Sequence, residues 1–431
     1  MRRAAAIILI FAVQNISAQE ALSLKKAMDI AVANNHELRI VRNNVGIAEL
    51  YDTPGMAGAL PTVDAGVRDR ESITDIDQRF SNGTTISRND VGSNALSGDI
   101  TVSYTLFNGF RIQAERDRLA SMLRAGEAEL VSQLQSTLAD VTFRYFDVIR
   151  QQNYRKALEK SGEFSLKKKE IVEARRNSGL ANDGDLFQSQ IDVNTSSQQL
   201  AEQDLLIRRA QVDLAQVMSL NPDSVFALSD TFMIDRNLVK DSVFSFIKNH
   251  PDMAIAAAKI EMNEQSLIQL RSQRLPVMTV DGAYNYLRTE NAAGFSLLNS
   301  SLGPSVGVTL RIPLYNGGSV RTQEKAARLQ LENSKIEEDR TLQRLTAQAV
   351  KAYVAYRTAL DQLDSQEESF RLAGSVLDIQ LSRFRQGLST ILDLRAAQSD
   401  FEQTAAFYVN ARFVAKVAET ELKRLMCKLG N

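Results

Sequence analysis

The chain has 431 residues, with 51 lysines and arginines against 52 aspartates and glutamates, two histidines, one cysteine and no tryptophan. So even a charge balance, with no basic cluster interleaved with aromatics, excludes the electrostatic footprint of a nucleic-acid binder. The single cysteine, Cys427, excludes an internal disulfide, and no apolar run after the first residues approaches the roughly 20 that a spanning helix needs, so any membrane insertion falls to β-strands.

Arg2 and Arg3 precede an apolar stretch at 4–13, and Ser17-Ala18 supplies small residues before Gln19. This pattern predicts a signal peptide over 1–18, cut after Ala18. The apolar run is about half the length of a membrane anchor. Cys427 lies far from the cut and cannot serve as a lipoprotein cysteine. Export without disulfides fits a bacterial periplasm or outer membrane.

The mature region is a tandem duplication. Phe107-Asn108-Gly109 returns as Tyr315-Asn316-Gly317, 208 residues on (315 − 107). The same offset carries Ala139 and Tyr145 onto Ala347 and Tyr353, and Arg175, Gly179-Leu180, Asp185-Leu186 and Gln190 onto Arg383, Gly387-Leu388, Asp393-Leu394 and Gln398. Upstream, Asn35-His36 corresponds to Asn249-His250 and Leu60-Pro61 to Leu275-Pro276. Self-similarity at a fixed offset marks repeated structural units. The first repeat is predicted over 19–220, as a helix, a β-hairpin at 62–107, a long helix at 110–178, a tip at 179–185 and a return helix at 186–218. After a linker at 221–240, the second repeat runs over 241–431, with a helix, hairpin 277–314, long helix 318–386, tip 387–393 and return helix 394–426.

In the first hairpin Ile100, Val102, Tyr104 and Leu106 alternate with Asp99, Thr101, Ser103 and Thr105, and in the second Val306, Val308, Leu310, Ile312 and Leu314 alternate with Ser305, Gly307, Thr309 and Arg311. Weaker partners precede them: Val63, Ala65 and Val67, and Met278, Val280, Tyr284 and Tyr286. Segments of about ten residues, apolar on one face, suit transmembrane barrel strands, though an edge of a soluble sandwich also alternates. The polar segments 71–96 and 289–302 are predicted as exposed loops. Four strands cannot close a barrel, and an open edge in lipid strands backbone groups at several kcal/mol each. If the strands sit in a membrane, closure requires a homo-oligomer.

The stretches 62–221 and 314–431 contain no proline, which permits very long helices. Leu119, Leu123, Leu130, Leu134, Val141, Tyr145 and Val148 recur at spacings of three, four and seven, and Leu342, Leu345, Ala349, Tyr353, Tyr356, Leu360 and Leu363 form the matching stripe in the second repeat. Each predicted helix would extend roughly 100 Å, and an ordinary antiparallel coiled coil would carry the same stripe. Gly179 and Gly387 suit left-handed helix ends. Asn182, Asp183 or Asp185, and Ser389 or Thr390, can cap the returning helices. Arg175, Arg383, Asp185 and Asp393 have a local reading as charges complementing helix ends.

These residues together resemble the TolC-like outer-membrane efflux family over essentially the whole mature chain. The resemblance rests on the duplication, on Asn35-His36-Glu37-Leu38 and Asn249-His250-Pro251-Asp252, and on Leu106-Phe107-Asn108-Gly109 and Leu314-Tyr315-Asn316-Gly317. Tyr145-Phe146-Asp147-Val148-Ile149 belongs to it, as do the tip patterns beginning at Arg175 and Arg383. It implies an α+β membrane protein: a homotrimer with a 12-stranded β-barrel, four strands per chain, in the outer-membrane lipid, continued by a long antiparallel α-helical barrel across the periplasm. It further implies docking at the tip to a periplasmic adaptor (membrane fusion) protein and an inner-membrane pump, with Arg175, Gly179, Leu180, Arg383, Gly387 and Leu388 as docking candidates. Asp393 and Asp185 become gate candidates; Ala396 stands where the family places a second aspartate.

No catalytic set, phosphate loop or zinc-protease helix is present. His36 and His250 occupy matching positions beside asparagines, which fits a polar turn between helices better than a metal site. The expected function is therefore a passive, non-enzymatic exit duct without cofactor or metal. Alternatives are a duct dedicated to type I protein secretion and a periplasmic coiled-coil adaptor or scaffold without a pore.

Overall fold

A computed structural model describes residues 21–430, so the signal peptide expected over 1–18 lies outside the described residues. In chain order the elements are α1 (Leu24–Asn34), α2 (His36–Tyr51), β1 (Thr62–Arg79), β2 (Thr85–Phe107), α3 (Arg111–Asn177), α4 (Asp183–Val217), α5 (Lys240–Ile247), α6 (Pro251–Ser272), β3 (Val277–Asn291), β4 (Leu298–Arg311), α7 (Ser319–Gln386) and α8 (Ile391–Leu425). The series of two helices, two strands, a long helix and a shorter one thus occurs twice.

The opening helix of each repeat is broken in two. At the first break the Asn35 side chain accepts from Leu38 N at 3.0 Å and donates to Val217 O at 2.9 Å. It caps α2 and ties the turn to α4. At the second break Pro251 opens α6, where its missing N–H costs nothing. His36 and His250 therefore sit at junctions between helices.

The four strands form one antiparallel sheet in the order β1-β2-β3-β4. Register assigns the faces, since directly paired residues share a side. One face gathers Val63 with Val102, Ala65 with Ile100, Ile100 with Tyr284, Tyr104 with Val280, Val280 with Val308 and Met278 with Leu310. The other gathers Asp64 with Thr101, Gly66 with Asp99, Ser103 with Asp281 and Thr279 with Thr309. Ser103 Oγ donates to Asp281 Oδ1 across that polar face at 2.7 Å.

The predicted loops at 71–96 and 289–302 are corrected by the structure. Strand β1 runs on to Arg79 and β2 starts at Thr85, while β3 runs to Asn291 and β4 starts at Leu298. Glu71 pairs with Asn94 and Ser72 with Ser93, so the backbone ladder continues where the apolar alternation stops. Polarity there marks the end of the apolar band, because a ladder needs no apolar side chain to form. Asp69, Glu71, Arg288 and Glu290 all bring charge onto the otherwise apolar face. From Met278 to Tyr286 the band covers about nine residues, roughly 30 Å at strand rise, which is the thickness of bilayer hydrocarbon. Beyond it, the β1–β2 register slips between Thr74 and Ile76, where Asp90 takes a φ of 57° and its N–H donates to Asp75 Oδ1 at 2.9 Å.

The described chain divides into two compact units that do not coincide with the two repeats. One comprises the residues up to Ile40, Val131–His250 and Gln343 onward; the other comprises Val41–Leu130 and Pro251–Leu342. Each takes part of both repeats. In the first unit Val141, Tyr145 and Val148 are fully buried with Ala27, Ala31, Leu214 and Met218. The linker predicted at 221–240 belongs to this packing. Leu22 N donates to Ala227 O at 2.7 Å, and the Tyr145 hydroxyl lies 2.7 Å from Leu22 O and 2.9 Å from Asp230 Oδ2. Burial and the Asp230 carboxylate push the Tyr145 phenol well above its ordinary pKa. Its repeat partner Tyr353 is only half-buried; Tyr356, one turn on, is the buried tyrosine of α7 and donates to Asp235 O in the same linker.

Candidate functional site

The two tips lie in the first unit and are built by the same local chemistry. α3 ends with Arg175 and Arg176 in its last turn, and Gly179 comes next at a φ of 75°. Leu180 N donates to Arg175 O at 2.8 Å and Gly179 N to Arg176 O at 2.9 Å. After α7, Leu388 N donates to Arg383 O at 2.9 Å and Gly387 N to Phe384 O at 3.1 Å, with Gly387 at a φ of 80°. Both are the paired closure that a left-handed glycine gives a helix end. These turns leave Leu180 and Leu388 outward, at 78% and 63% exposure.

The returning helices are capped differently. Asn182 accepts from Asp185 N at 2.8 Å to start α4. Thr390 starts α8 with a full capping box: Asp393 Oδ2 accepts from Thr390 N at 2.9 Å and from its hydroxyl at 2.8 Å, while Asp393 N donates to Thr390 Oγ1 at 3.2 Å. Hydrogen bonds from the Thr390 backbone and hydroxyl hold the Asp393 carboxyl below the usual aspartate range, with Arg383 adding a smaller pull. Asp393 is exposed; Asp185 is half-buried.

The matched arginines separate in role. Arg175 is half-buried, donates to Phe384 O of the opposite tip, and lays its guanidinium 4.5 Å from the Phe384 ring centroid. It clamps α3 to α7 with a charge-assisted bond and a cation–π contact. Arg383 is exposed and donates to Leu388 O at 3.3 Å within its own tip. The structure thus brings Arg175, Gly387 and Phe384 together and leaves Leu180, Arg383 and Leu388 on the surface.

Behind the tips lies a polar cluster that the repeat comparison does not reveal. Lys168 on α3 is fully buried and its Nζ is 2.5 Å from Asp192 Oδ2 on α4, itself 8% exposed. Gln188 Nε2 donates to Asp192 Oδ1 at 3.0 Å, and the Lys168 ammonium also reaches Gln398 Oε1 of α8 at 3.5 Å. Gln398 Nε2 in turn donates to Ser161 Oγ and Ser165 Oγ, both at 2.8 Å. Around this run the apolar residues Phe164, Val172, Leu377, Phe384, Leu394 and Phe401. The sequence does carry a sign of it: Phe164, Lys168 and Val172 share one helical stripe at intervals of four, so the lysine interrupts a core face. Its neighbours Lys167 and Lys169 disguise it as part of a solvated charge run.

Asp400 is a second residue that sequence reasoning passes over. It stands seven residues after Asp393 on α8, so both aspartates and the exposed Ala396 share one helix face. That i, i+7 spacing is its readable sign. Among the described residues no group of three or more His, Cys, Asp or Glu is arranged to hold a metal, and no helix is long and apolar enough to cross a membrane.

The duplicated hairpins and tips have counterparts in known proteins. A family described as outer membrane efflux protein matches residues 27–219 and 245–428, one segment in each repeat. Protein CyaE of Bordetella pertussis is 24% identical over 331 residues, covering 75% of this chain and 68% of its own. Outer membrane protein TolC of Vibrio cholerae is 23% identical over 363 residues, 81% of either chain. Among solved structures, the VceC outer membrane protein of Vibrio cholerae superposes with a TM-score of 0.75 at 18% identity, covering 94% of this chain and 95% of that one. The CmeC outer membrane channel of Campylobacter jejuni gives 0.75 at 17% identity over 94% and 86%. These likenesses establish a shared fold, and the family match in both repeats, joined to the duplicated hairpins and tips, makes the chain a member of the outer membrane efflux protein family.

Proposed function

We propose that this outer-membrane exit duct for efflux or secretion is closed by three copies of the chain, each giving four strands to a 12-stranded barrel. The supporting observation is a sheet that is apolar on one paired face over about 30 Å, with β1 and β4 at its edges and no further strand among the described residues to cover them. In lipid those edges must find partners, and further copies supply them. A pore-free scaffold has no use for such a band. In a Cys427→Ser background, cysteine pairs introduced along β1 and β4, starting with Val63→Cys and Val306→Cys, are expected to give an oxidised ladder ending at three chains. A ladder ending at two, or running beyond three, would sink the trimer.

The tips with exposed Leu180, Arg383 and Leu388 are the surface on which a periplasmic adaptor engages, with an inner-membrane pump supplying the energy. A duct that passes cargo from such partners needs no catalytic group of its own. Service in protein secretion gains support from a relative named Toxin and drug export protein A in Aggregatibacter actinomycetemcomitans, 19% identical over 402 residues.

Asp393 is the gate aspartate in this reading, with Asp400 on the same face as its companion and Asp185 as its counterpart in the other repeat. Substituting Asp393→Asn keeps an acceptor for Thr390 while removing the charge. It is expected to raise single-channel conductance in planar bilayers and weaken block by multivalent cations. An unchanged current-voltage curve would remove Asp393 from the gate. Because the folded pKa is depressed, the charge persists as pH falls and is lost only below the ordinary aspartate range. Cation block should therefore survive at about pH 4, where a free aspartate is half neutral.

A further inference from the structure

At the base of the second hairpin three arginines converge on one carboxylate. Glu324 on α7 is buried, and its oxygens lie 3.2 Å from Arg271 Nε, 2.7 Å from Arg274 Nη2 and 2.7 Å from Arg328 Nη2. One negative charge faces three positive ones, which leaves a formal excess of two. All three guanidinium side chains remain about half exposed, at 50%, 49% and 60%. Each guanidinium carries five N–H donors, and the contacts to Glu324 occupy a minority of them. Glu324 therefore acts as a pin that fixes three forks while their outer edges stay open to a second anion.

Chain position places this cluster at a particular depth. Strand β3 begins at Val277 and the apolar face begins at Met278, so Arg274 lies four residues before the band. Fully extended, that is at most about 13 Å, within reach of the headgroup layer that borders the hydrocarbon. Leu314 and Tyr315, which leave β4 at the same end of the sheet, are 92% and 88% exposed. An exposed tyrosine beside leucine at that depth is characteristic of a membrane interface.

We propose that Arg271, Arg274 and Arg328 form a site for the phosphate of an anionic phospholipid in the periplasmic leaflet of the outer membrane. This rests on the barrel proposed for the four strands. Arginine forks match phosphate oxygens bidentately, and cationic side chains at a bilayer surface attract anionic lipid. Contact with the acyl chains of the same lipid is supplied by the apolar band immediately beyond.

The test compares the wild-type channel with Arg271→Gln/Arg274→Gln, which keeps the Arg328–Glu324 pair so that Glu324 is not left alone. Both proteins are placed in nanodiscs of phosphatidylethanolamine with graded phosphatidylglycerol, and retained lipid is counted by native mass spectrometry. The expected result is about tenfold weaker phosphatidylglycerol retention per chain in the variant, the loss that goes with a charged hydrogen bond. Equal retention by the two proteins would overturn the site. So would full displacement of the lipid by millimolar inorganic phosphate, which would identify a site for free anions. A changed ion selectivity with unchanged lipid retention would put the arginines in the duct wall and also refute the proposal. If the wild-type protein never enters a bilayer, the barrel reading itself fails, an outcome separate from all three.

Discussion

Replacing Lys168 with methionine is expected to destabilise the tip-bearing unit by about 3–5 kcal/mol, the cost of leaving one partner of a buried ion pair without the other. Asp192 would remain 8% exposed beside an apolar side chain. Its remaining contacts are Gln188 at 3.0 Å and Arg395 at 3.7 Å, of which only Arg395 carries charge. The double substitution Lys168→Met with Asp192→Leu should recover most of the loss, because well-packed apolar residues replace buried pairs at little cost. Hydrogen exchange along α3, α4 and α8 is the direct measurement: faster exchange near the tips in the single variant, and slower again in the double one. A single variant as protected as the wild type would mean that Asp192 is hydrated and the pair is dispensable.

The second large effect concerns the two Asn-Gly turns. Gly109 has a φ of 69°, and a Cβ built there would meet Leu275 Cβ at 2.8 Å and Ser272 O at 2.9 Å. Gly317 has a φ of 66° but nothing within 4 Å of the same position. Gly317→Ala thus incurs only the left-handed conformational penalty, about 1–2 kcal/mol. Gly109→Ala adds a collision with backbone, worth roughly another 1–3 kcal/mol. The melting temperature of the purified protein, followed by circular dichroism, should fall slightly for Gly317→Ala and severely for Gly109→Ala. Equal losses would show that close approach to Ser272 and Leu275 is not what demands glycine at 109.

Much of this architecture is legible in the sequence because two periodicities and a duplication record it. Alternation at Ile100 to Leu106 marks a strand, the three-four stripe through Val141 and Tyr145 marks a buried helix face, and the matched glycines mark both tips. Strand ends are not legible. Where β1 and β2 continue past the apolar band, Ile73, Ile76, Ile86 and Val91 are scattered among polar residues without regular alternation, and such a stretch reads as a loop until its ladder is seen. Repeat symmetry also misleads locally. It equates Tyr145 with Tyr353 and Arg175 with Arg383, yet Tyr356 takes the buried position and only Arg175 crosses to the other tip. Duplicated sequence preserves the turn chemistry that backbone geometry imposes; the partners of a side chain depend on its surroundings, which differ between the copies. Lys168 illustrates the remaining gap: its place on the Phe164–Val172 stripe points to burial, but a cation flanked by cations does not reveal which residue, here an aspartate 24 positions away, will meet it.

The interleaving of the two compact units sets the order in which this chain can become structured. Each unit draws on both repeats, and contacts such as the Gln135 amide on the Leu429 backbone join residues 294 apart. Pairing of β2 with β3 likewise spans the whole of α3, α4 and the linker. Such closures are slow, because a long loop must be ordered before any contact rewards it. A chain emerging on the far side of a membrane therefore cannot finish its first repeat and move on. Its first compact unit must remain open until α7 and α8 have arrived, and the apolar band and the edges at β1 and β4 stay uncovered until lipid and partner strands meet them, a state that favours aggregation unless something else holds it.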